Sequence, residues 1–201
     1  DLKVYVGMRF SHPFIKDTLK KMREDGVKEA PVIIMSPFVS IAATGGYQRD
    51  IDAARAEGND IPRLEFIADW HIRPQFIDAV AEKIKAEINA IPDKEEVLLI
   101  YSCHSLPMAG LEGDAYEMKV FQTVEALTRR FPDFDHKIGY QSKGAGTRDW
   151  LSPSTDELIT EAKRSGKKGV VVVPLGFTAD HVETLYDIDI LFKKTAESLG
   201  L

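Results

Sequence analysis

The sequence predicts a parallel α/β fold with helices on both faces of its sheets, arranged as two halves. Three observations carry this expectation. Strand-like and helix-like runs alternate along the whole chain, which is the pattern of successive βαβ units. Two of the strand-like runs, Val97-Leu98-Leu99-Ile100-Tyr101-Ser102-Cys103 and Val170-Val171-Val172-Val173-Pro174, are apolar almost throughout, as parallel strands are when both their faces are covered. The segment Ile91-Pro92-Asp93-Lys94-Glu95-Glu96 is polar and carries a proline. It separates three strand–helix units from three more and is the expected domain boundary.

Each element has a local reason. Strands are expected at residues 3–7, 32–36, 63–68, 97–103, 137–141 and 169–174, apolar runs bounded by Gly, Pro or polar clusters. Ile77, Val80, Ala81, Ile84, Ile88 and Ile91 recur at helical spacing and line one helix face. In Ser154-Thr155-Asp156-Glu157 the serine and glutamate stand three apart, as in a capping box, and Gly166 supplies the stop. The halves also share a faint grammar. Val32-Ile33-Ile34-Met35-Ser36-Pro37-Phe38 and Val170-Val171-Val172-Val173-Pro174-Leu175-Gly176-Phe177 both run from strand through proline to phenylalanine, and an Asp-Ile-Asp follows each, at 50–52 and 187–189. Internal duplication and the ordinary grammar of βα units both account for this.

Composition narrows the function class. The chain has 201 residues, 44% hydrophobic and 29% charged, with a net charge of −6, a globular balance that argues against a nucleic-acid partner, since phosphate binding needs a basic face. One cysteine excludes an internal disulfide framework and suits a reducing compartment. No apolar stretch approaches the roughly 20 residues that cross a bilayer, and no signal peptide is visible. The chain starts at Asp1 rather than Met, so it is expected to begin part-way through a longer protein.

Both apolar runs lead into groups that move protons or bind metals: His104 after the first, His181 and Glu183 after the second. Ligands of parallel α/β sheets bind beyond the carboxyl ends of the strands. An imidazole titrates near neutrality, so His104 could accept a substrate proton; the alternative is a structural, hydrogen-bonding histidine. His181 and Glu183 share a face on extended chain and diverge on a helix. If a helix starts here, Asp180 is expected to cap it while His181 bonds locally. Glu183 and Asp187, four apart, then share one helical stripe. Gly144-Ala145-Gly146 lacks the third glycine of a dinucleotide loop, Asp149 standing in its place, and no P-loop pattern occurs, so nucleotide binding has no motif. Gly45-Gly46 could take an anion at a helix start or form a plain turn. Cys103 is either a thiol nucleophile or a small buried hydrophobe. Trp70, Trp150, Phe38 and Phe177 follow strands, either as lids on the core or as a flat apolar surface for a planar ligand.

Four ordered motifs draw these residues together. Tyr101-Ser102-Cys103-His104-Ser105-Leu106-Pro107 contains S-x-H-S-L-P, and Gly113-Asp114-Ala115-Tyr116 reads G-D-x-Y. Tyr140-Gln141-Ser142-Lys143 with Trp150-Leu151-Ser152-Pro153-Ser154-Thr155 reads Y-Q-S-[RK]…W-L-x-P-x-T. The stretch from Val173 to Tyr186 reads V-P-x-G-F-x-x-D-H-x-E-T-L-[YE]. Together with Val4-Tyr5-Val6-Gly7-Met8-Arg9 and Pro13-Phe14-Ile15, they make nearly the whole chain resemble ferrochelatase, the enzyme that inserts ferrous iron into a porphyrin in haem synthesis.

The resemblance implies two similar doubly wound, chelatase-like lobes with the porphyrin in the cleft between them. Residues 1–91 would form an incomplete first lobe and 92–201 the second, which carries His104 and Glu183; the N-terminal part and the C-terminal end of the family pattern are absent. By the same resemblance His104 and Glu183 are catalytic, His104, Glu183 and Asp187 contact metal, and Ser105, Phe38 and Trp150 contact substrate. Trp150 and Pro153 are also expected to support the cleft wall. The substrates would be protoporphyrin or coproporphyrin and Fe2+, with no prosthetic group. An iron–sulfur cluster is not expected, because the cysteine cluster of members that carry one is missing from this chain. Nucleic acid is not an expected partner, membrane contact is at most peripheral, and the location is cytoplasmic. Two departures stand out: Leu191 where many members continue the acidic stripe with Glu, and Phe38 where some have His or Gln. The alternatives are a cobalt or nickel chelatase of related fold, or a tetrapyrrole- or metal-binding protein without turnover. The first would bring more histidines to the site, yet His12, His71 and His136 share no motif.

Overall fold

The structure is a computed structural model that describes residues 2–41, 44–57, 60–92, 94–146 and 148–201. Asp93, in the expected boundary segment, lies outside the described residues. The chain forms two compact units, Asp1–Asp69 and Trp70–Leu201.

In the first unit α1 (Ile15–Glu24), β1 (Glu29–Ile33), α2 (Thr44–Ala56) and β2 (Arg63–Ile67) follow in order. β1 and β2 pair in parallel, Glu29 opposite Arg63 and Ile33 opposite Ile67. Ile15, Leu19 and Met22 form the buried stripe of α1 and cluster with Ile51 and Ala54 of α2, with Ala30, Leu64 and Phe66 of the sheet packed against them. Both strands alternate exposed and half-buried positions, the pattern of a sheet with one face covered.

Two expectations change here. β1 starts three residues before the apolar run at 32–36, because pairing with β2 sets its register; Pro31, which lacks an N–H, is tolerated at a sheet edge. The run at 3–7 is not a strand. Leu2, Val4 and Val6 are exposed, and the Val6 carbonyl accepts from the Thr18 hydroxyl at 2.6 Å. β-branched residues favour extension, but only a neighbouring strand turns extension into sheet.

The second unit contains α3 (Pro74–Ala90), β3 (Val97–His104), α4 (Tyr116–Thr128), β4 (Asp135–Gln141), α5 (Thr155–Arg164) and β5 (Gly169–Pro174). After them come α6 (Val182–Leu185), a π-helical stretch (Asp187–Phe192) and α7 (Lys193–Ser198). α3 packs on α4 and β5 and so lies in this unit, whereas the polar segment at 91–96 would have assigned it to the first. Its buried Ile77, Ile84 and Ile88 are those of the predicted stripe.

The sheet is parallel in the order β4-β3-β5. β3 is central and its first seven residues are buried. Leu98 and Ile100 pack on one face with Leu158, Ile159 and Ala162 of α5 and with Phe192. Strand alternation turns Leu99, Tyr101 and Cys103 to the other face. Helix α5 opens on the predicted capping box: the Glu157 N–H donates to Ser154 Oγ at 3.2 Å and the Ser154 N–H to Glu157 Oε2 at 2.9 Å. The chain runs from β3 to β4 on one side, then crosses over to β5 on the other. The strand order therefore reverses at the carboxyl end of β3, where a crevice forms in folds of this kind. Among the described residues no helix is long and apolar enough to cross a membrane.

The contact between β4 and α5 leaves room for hydrogen only at Gly139. A Cβ there would stand 2.9 Å from Thr155 Oγ1 and 3.1 Å from Thr155 Cα. Gly139→Ala is therefore expected to destabilise the protein by about 1–3 kcal/mol, read as a lower urea midpoint; an unchanged midpoint would show that α5 can move away at no cost.

Candidate active site at the end of the central strand

His104 is the last residue of β3, and its pose is set from two directions. Its main-chain carbonyl accepts from the Tyr116 hydroxyl at 2.8 Å. Its ring Nδ1 lies 2.5 Å from the Ser105 carbonyl oxygen. A carbonyl only accepts, so Nδ1 carries the hydrogen and the neutral ring presents the lone pair of Nε2. That atom stands 3.5 Å from Glu183 Oε1, and the two side chains keep 37% and 35% of their surface exposed. At this separation two acceptors face each other beyond normal hydrogen-bond length. The arrangement suits a proton on Nε2 or a cation between the two groups.

Glu183 is delivered by a short helix with its own start signal. His181 is the N-cap of α6: its Nδ1 accepts from the Glu183 N–H at 3.1 Å. Thr184 Oγ1 accepts from the His181 N–H at 3.0 Å, closing the box. The cap is therefore His181 and not the predicted Asp180, and the helical start sends His181 and Glu183 in different directions.

A buried amide ties this helix to the sheet. Gln141, the last residue of β4 and the ladder partner of His104, is buried. Its Nε2 donates to the Glu183 carbonyl at 2.7 Å, and its Oε1 accepts from Ser102 Oγ at 2.6 Å. Ser102 Oγ also lies 2.7 Å from Thr155 Oγ1. Because the single Ser102 hydrogen goes to Gln141, Thr155 is the donor. The chain Thr155, Ser102, Gln141, Glu183 links α5, β3, β4 and α6.

Asp187 opens the π-helical stretch, and its Oδ2 accepts from Ser142 Oγ at 2.7 Å. The Leu191 N–H donates to the Tyr186 carbonyl, five residues back, at 3.0 Å. The wider turn changes the predicted stripe: from Asp187 onward the chain no longer keeps the α-helical spacing on which Leu191 was placed.

The other expected residues fall as follows. Ser105 is 1% exposed; its hydroxyl donates to the Leu151 carbonyl at 3.0 Å and its N–H to the Gln141 carbonyl at 2.7 Å. The polar atoms expected to meet substrate are thus turned inward and bonded to protein. Phe38 is 1% exposed and offers no open ring face. Trp150 bridges to Pro107, and its ring covers Gly144, where a Cβ would lie 2.8 Å from it. Gly144 is thus explained by packing. Cys103 is buried, and burial pushes its thiol far above the usual range, which leaves no reactive thiolate.

Phe177 stands beside the site, its ring centroid 6.5 Å from that of His104 and 5.0 Å from that of His181. His71 is buried, with Nε2 2.8 Å from Gln122 Oε1. A cavity of about 1070 Å³ runs along β5 between α3 and the π-helical stretch. His104 and Glu183 are not among the residues that line it. Among the described residues no three His, Cys, Asp or Glu side chains converge as a metal cluster. Gln141 and Ser142 fall in a sequence motif that gave neither a role; the available signal was a glutamine following Ile138-Gly139-Tyr140 at the end of β4.

Replacing Gln141 with leucine keeps the volume and removes both hydrogen bonds, leaving Ser102 and the Glu183 carbonyl without their partner. Gln141→Leu is expected to cost about 2–4 kcal/mol in equilibrium unfolding; a wild-type midpoint would show that water replaces the amide freely.

Comparison with known proteins bears on family and fold. The family model described as Ferrochelatase matches residues 1–201. The ferrochelatase of Herpetosiphon aurantiacus is 35% identical over 202 residues, covering 99% of this chain and 66% of that protein. That of Deinococcus radiodurans is 34% identical over 205 residues, covering 100% and 65%, and that of Aquifex aeolicus 35% identical over 205 residues, covering 100% and 64%. The chain spans just under two thirds of the length of these relatives. A solved structure, SirB from Bacillus subtilis with Fe3+, shares the fold at a TM-score of 0.66 and 14% identity, covering 95% of this chain and 67% of that one. A family match from end to end, and identities above 30% along essentially all of the sequence, lead to one conclusion: this chain belongs to the ferrochelatase family.

Proposed function

We propose that the protein is a lyase that inserts ferrous iron into a porphyrin, protoporphyrin IX or coproporphyrin III, with release of two protons, as a step of haem biosynthesis in the cytoplasm. The observation that carries this reading is the facing pair, His104 Nε2 at 3.5 Å from Glu183 Oε1, in a chain of the ferrochelatase family. A porphyrin gives up two pyrrole N–H protons as the metal enters. The Nε2 lone pair, fixed by the Nδ1–H bond to Ser105, is the acceptor for such a proton. The Glu183 carboxylate offsets the positive charge of the resulting imidazolium and of the arriving iron. Two donors from this pair, with Asp187 one turn further on, would hold the ion loosely enough to release it to the pyrrole nitrogens. Iron is a substrate in this scheme, and no prosthetic group takes part. The flat face of Phe177 beside His104 suits a planar ring. A cobalt or nickel chelatase gains no support from His71 or His181, which are committed to Gln122 and to the α6 cap.

The test is anaerobic incubation of the full-length protein with ferrous iron and each porphyrin, followed by the metalloporphyrin absorbance. Product with neither porphyrin would overturn the reading, and porphyrin binding without product would favour a carrier. His104→Ala is expected to lower insertion by about 10²–10⁴-fold with an unchanged circular-dichroism spectrum; wild-type turnover at neutral pH would remove His104 from the mechanism. Glu183→Gln keeps the shape and deletes the charge. Turnover is expected to fall about 100-fold with porphyrin affinity little altered, whereas an equal fall in affinity would make Glu183 a binding residue.

A further inference from the structure

We propose that Ser142 is a positioning residue for metal delivery, its hydroxyl holding the Asp187 carboxylate in place one helical turn from Glu183. The inference rests on the iron-insertion reading. It starts from backbone geometry. Among the described residues Ser142 is the one non-glycine residue with a positive φ, 59°. Glycine adopts this left-handed region without steric strain and serine does not, so the turn alone does not explain a serine. A strained backbone at a strand end beside a site is a reason to look for what the side chain does.

What it does is visible in its partner. Ser142 Oγ donates to Asp187 Oδ2 at 2.7 Å. On a regular strand, neighbouring side chains point to opposite faces, so Gln141 and Ser142 could not both serve one helix. The left-handed residue breaks that alternation. Gln141 Nε2 reaches the Glu183 carbonyl at 2.7 Å while the next residue reaches Asp187, and Gln141 Nε2 lies 3.4 Å from Ser142 Oγ. Two successive residues of one strand end thus hold both acids, one by its backbone and the other by its carboxylate. The hold matters because α6 has only four residues and the helix changes to π geometry at Asp187, so helical hydrogen bonding alone fixes the acid poorly. Groups that orient metal-facing carboxylates typically change metal affinity or activity by tenfold or more when removed.

The test uses the full-length protein and four variants. Ser142→Gly removes the hydroxyl and relieves the backbone; Ser142→Asn keeps a residue that tolerates positive φ and restores a side-chain N–H donor. Ser142→Gly is expected to retain or raise thermal stability and to raise KM for ferrous iron about tenfold, with KM for porphyrin unchanged; Ser142→Asn should recover much of the loss. In an Asp187→Asn background the Ser142→Gly change should cost nothing further, because the pair acts as a unit. A wild-type KM for iron in Ser142→Gly would overturn the proposal. So would a fall in activity that merely follows a fall in stability. If the wild-type protein inserts no metal, the iron-insertion reading fails. Cobalt(II) affinity, measured by visible absorption, then still decides the role of Ser142: about tenfold weaker binding in Ser142→Gly supports it, and equal binding overturns it.

Discussion

The side-chain amide of Gln141 is the interaction on which the geometry of the site depends. It is buried, and a buried amide is tolerated only when its donors and acceptor are bonded. Its oxygen takes the one hydrogen of Ser102 on the central strand, and its nitrogen gives a hydrogen to the Glu183 carbonyl on a helix that arrives after β5. Without it the Glu183 carbonyl loses this partner and the Ser102 hydroxyl keeps only Thr155. The amide therefore locks together three segments distant in sequence, and Thr155 extends the lock to the first turn of α5. Hydrogen bonds in such a chain reinforce one another in a medium of low polarity, and the helix that presents Glu183 is tied by them to the end of β4.

A second constraint acts on His104. Because Nδ1 of His104 is committed to the Ser105 carbonyl, the ring has one tautomer available when neutral, and Nε2 meets Glu183. The Tyr116 hydroxyl fixes the same residue through its backbone. Neither contact touches the facing atoms themselves. They determine which lone pair is offered and in which direction, since the partner of one ring nitrogen sets the tautomer of the other. Ser105, by turning its own hydroxyl inward to Leu151, serves the support of the site instead of its open face.

The strength of the local signal explains which parts of this arrangement were legible in the sequence. The capping box at Ser154 and Glu157, the isoleucine stripe of α3 and the apolar runs of β3 and β5 depend on neighbours within a few residues, and they appear where the pattern puts them. The reading at 3–7 failed because extension and pairing are separate properties: Val4 and Val6 favour the first, and nothing within the segment supplies the second. β1 slid toward its N-terminus for the same reason, since Arg63 and its neighbours on β2 determine the register. At the helix before Glu183, Asp180 had the better capping propensity, yet His181 takes the cap because Thr184 completes the box around it.

By itself the sequence determined the alternation of strand and helix, the buried character of the central strand, and the motifs that place His104 and Glu183 in one family pattern. These follow from periodicity, capping chemistry and residue identity, all readable along the chain. The tertiary structure decided that α3 belongs with the second unit, that Gln141 bridges β3 to α6, and that Ser142 leaves the strand in a left-handed turn to reach Asp187. It also set the change to π geometry that takes Leu191 out of the acidic stripe. Each of these depends on groups brought together across about forty residues or more, or on a backbone dihedral that no local pattern specifies. A hydrogen bond between distant residues gains its value only after packing has removed the competing water.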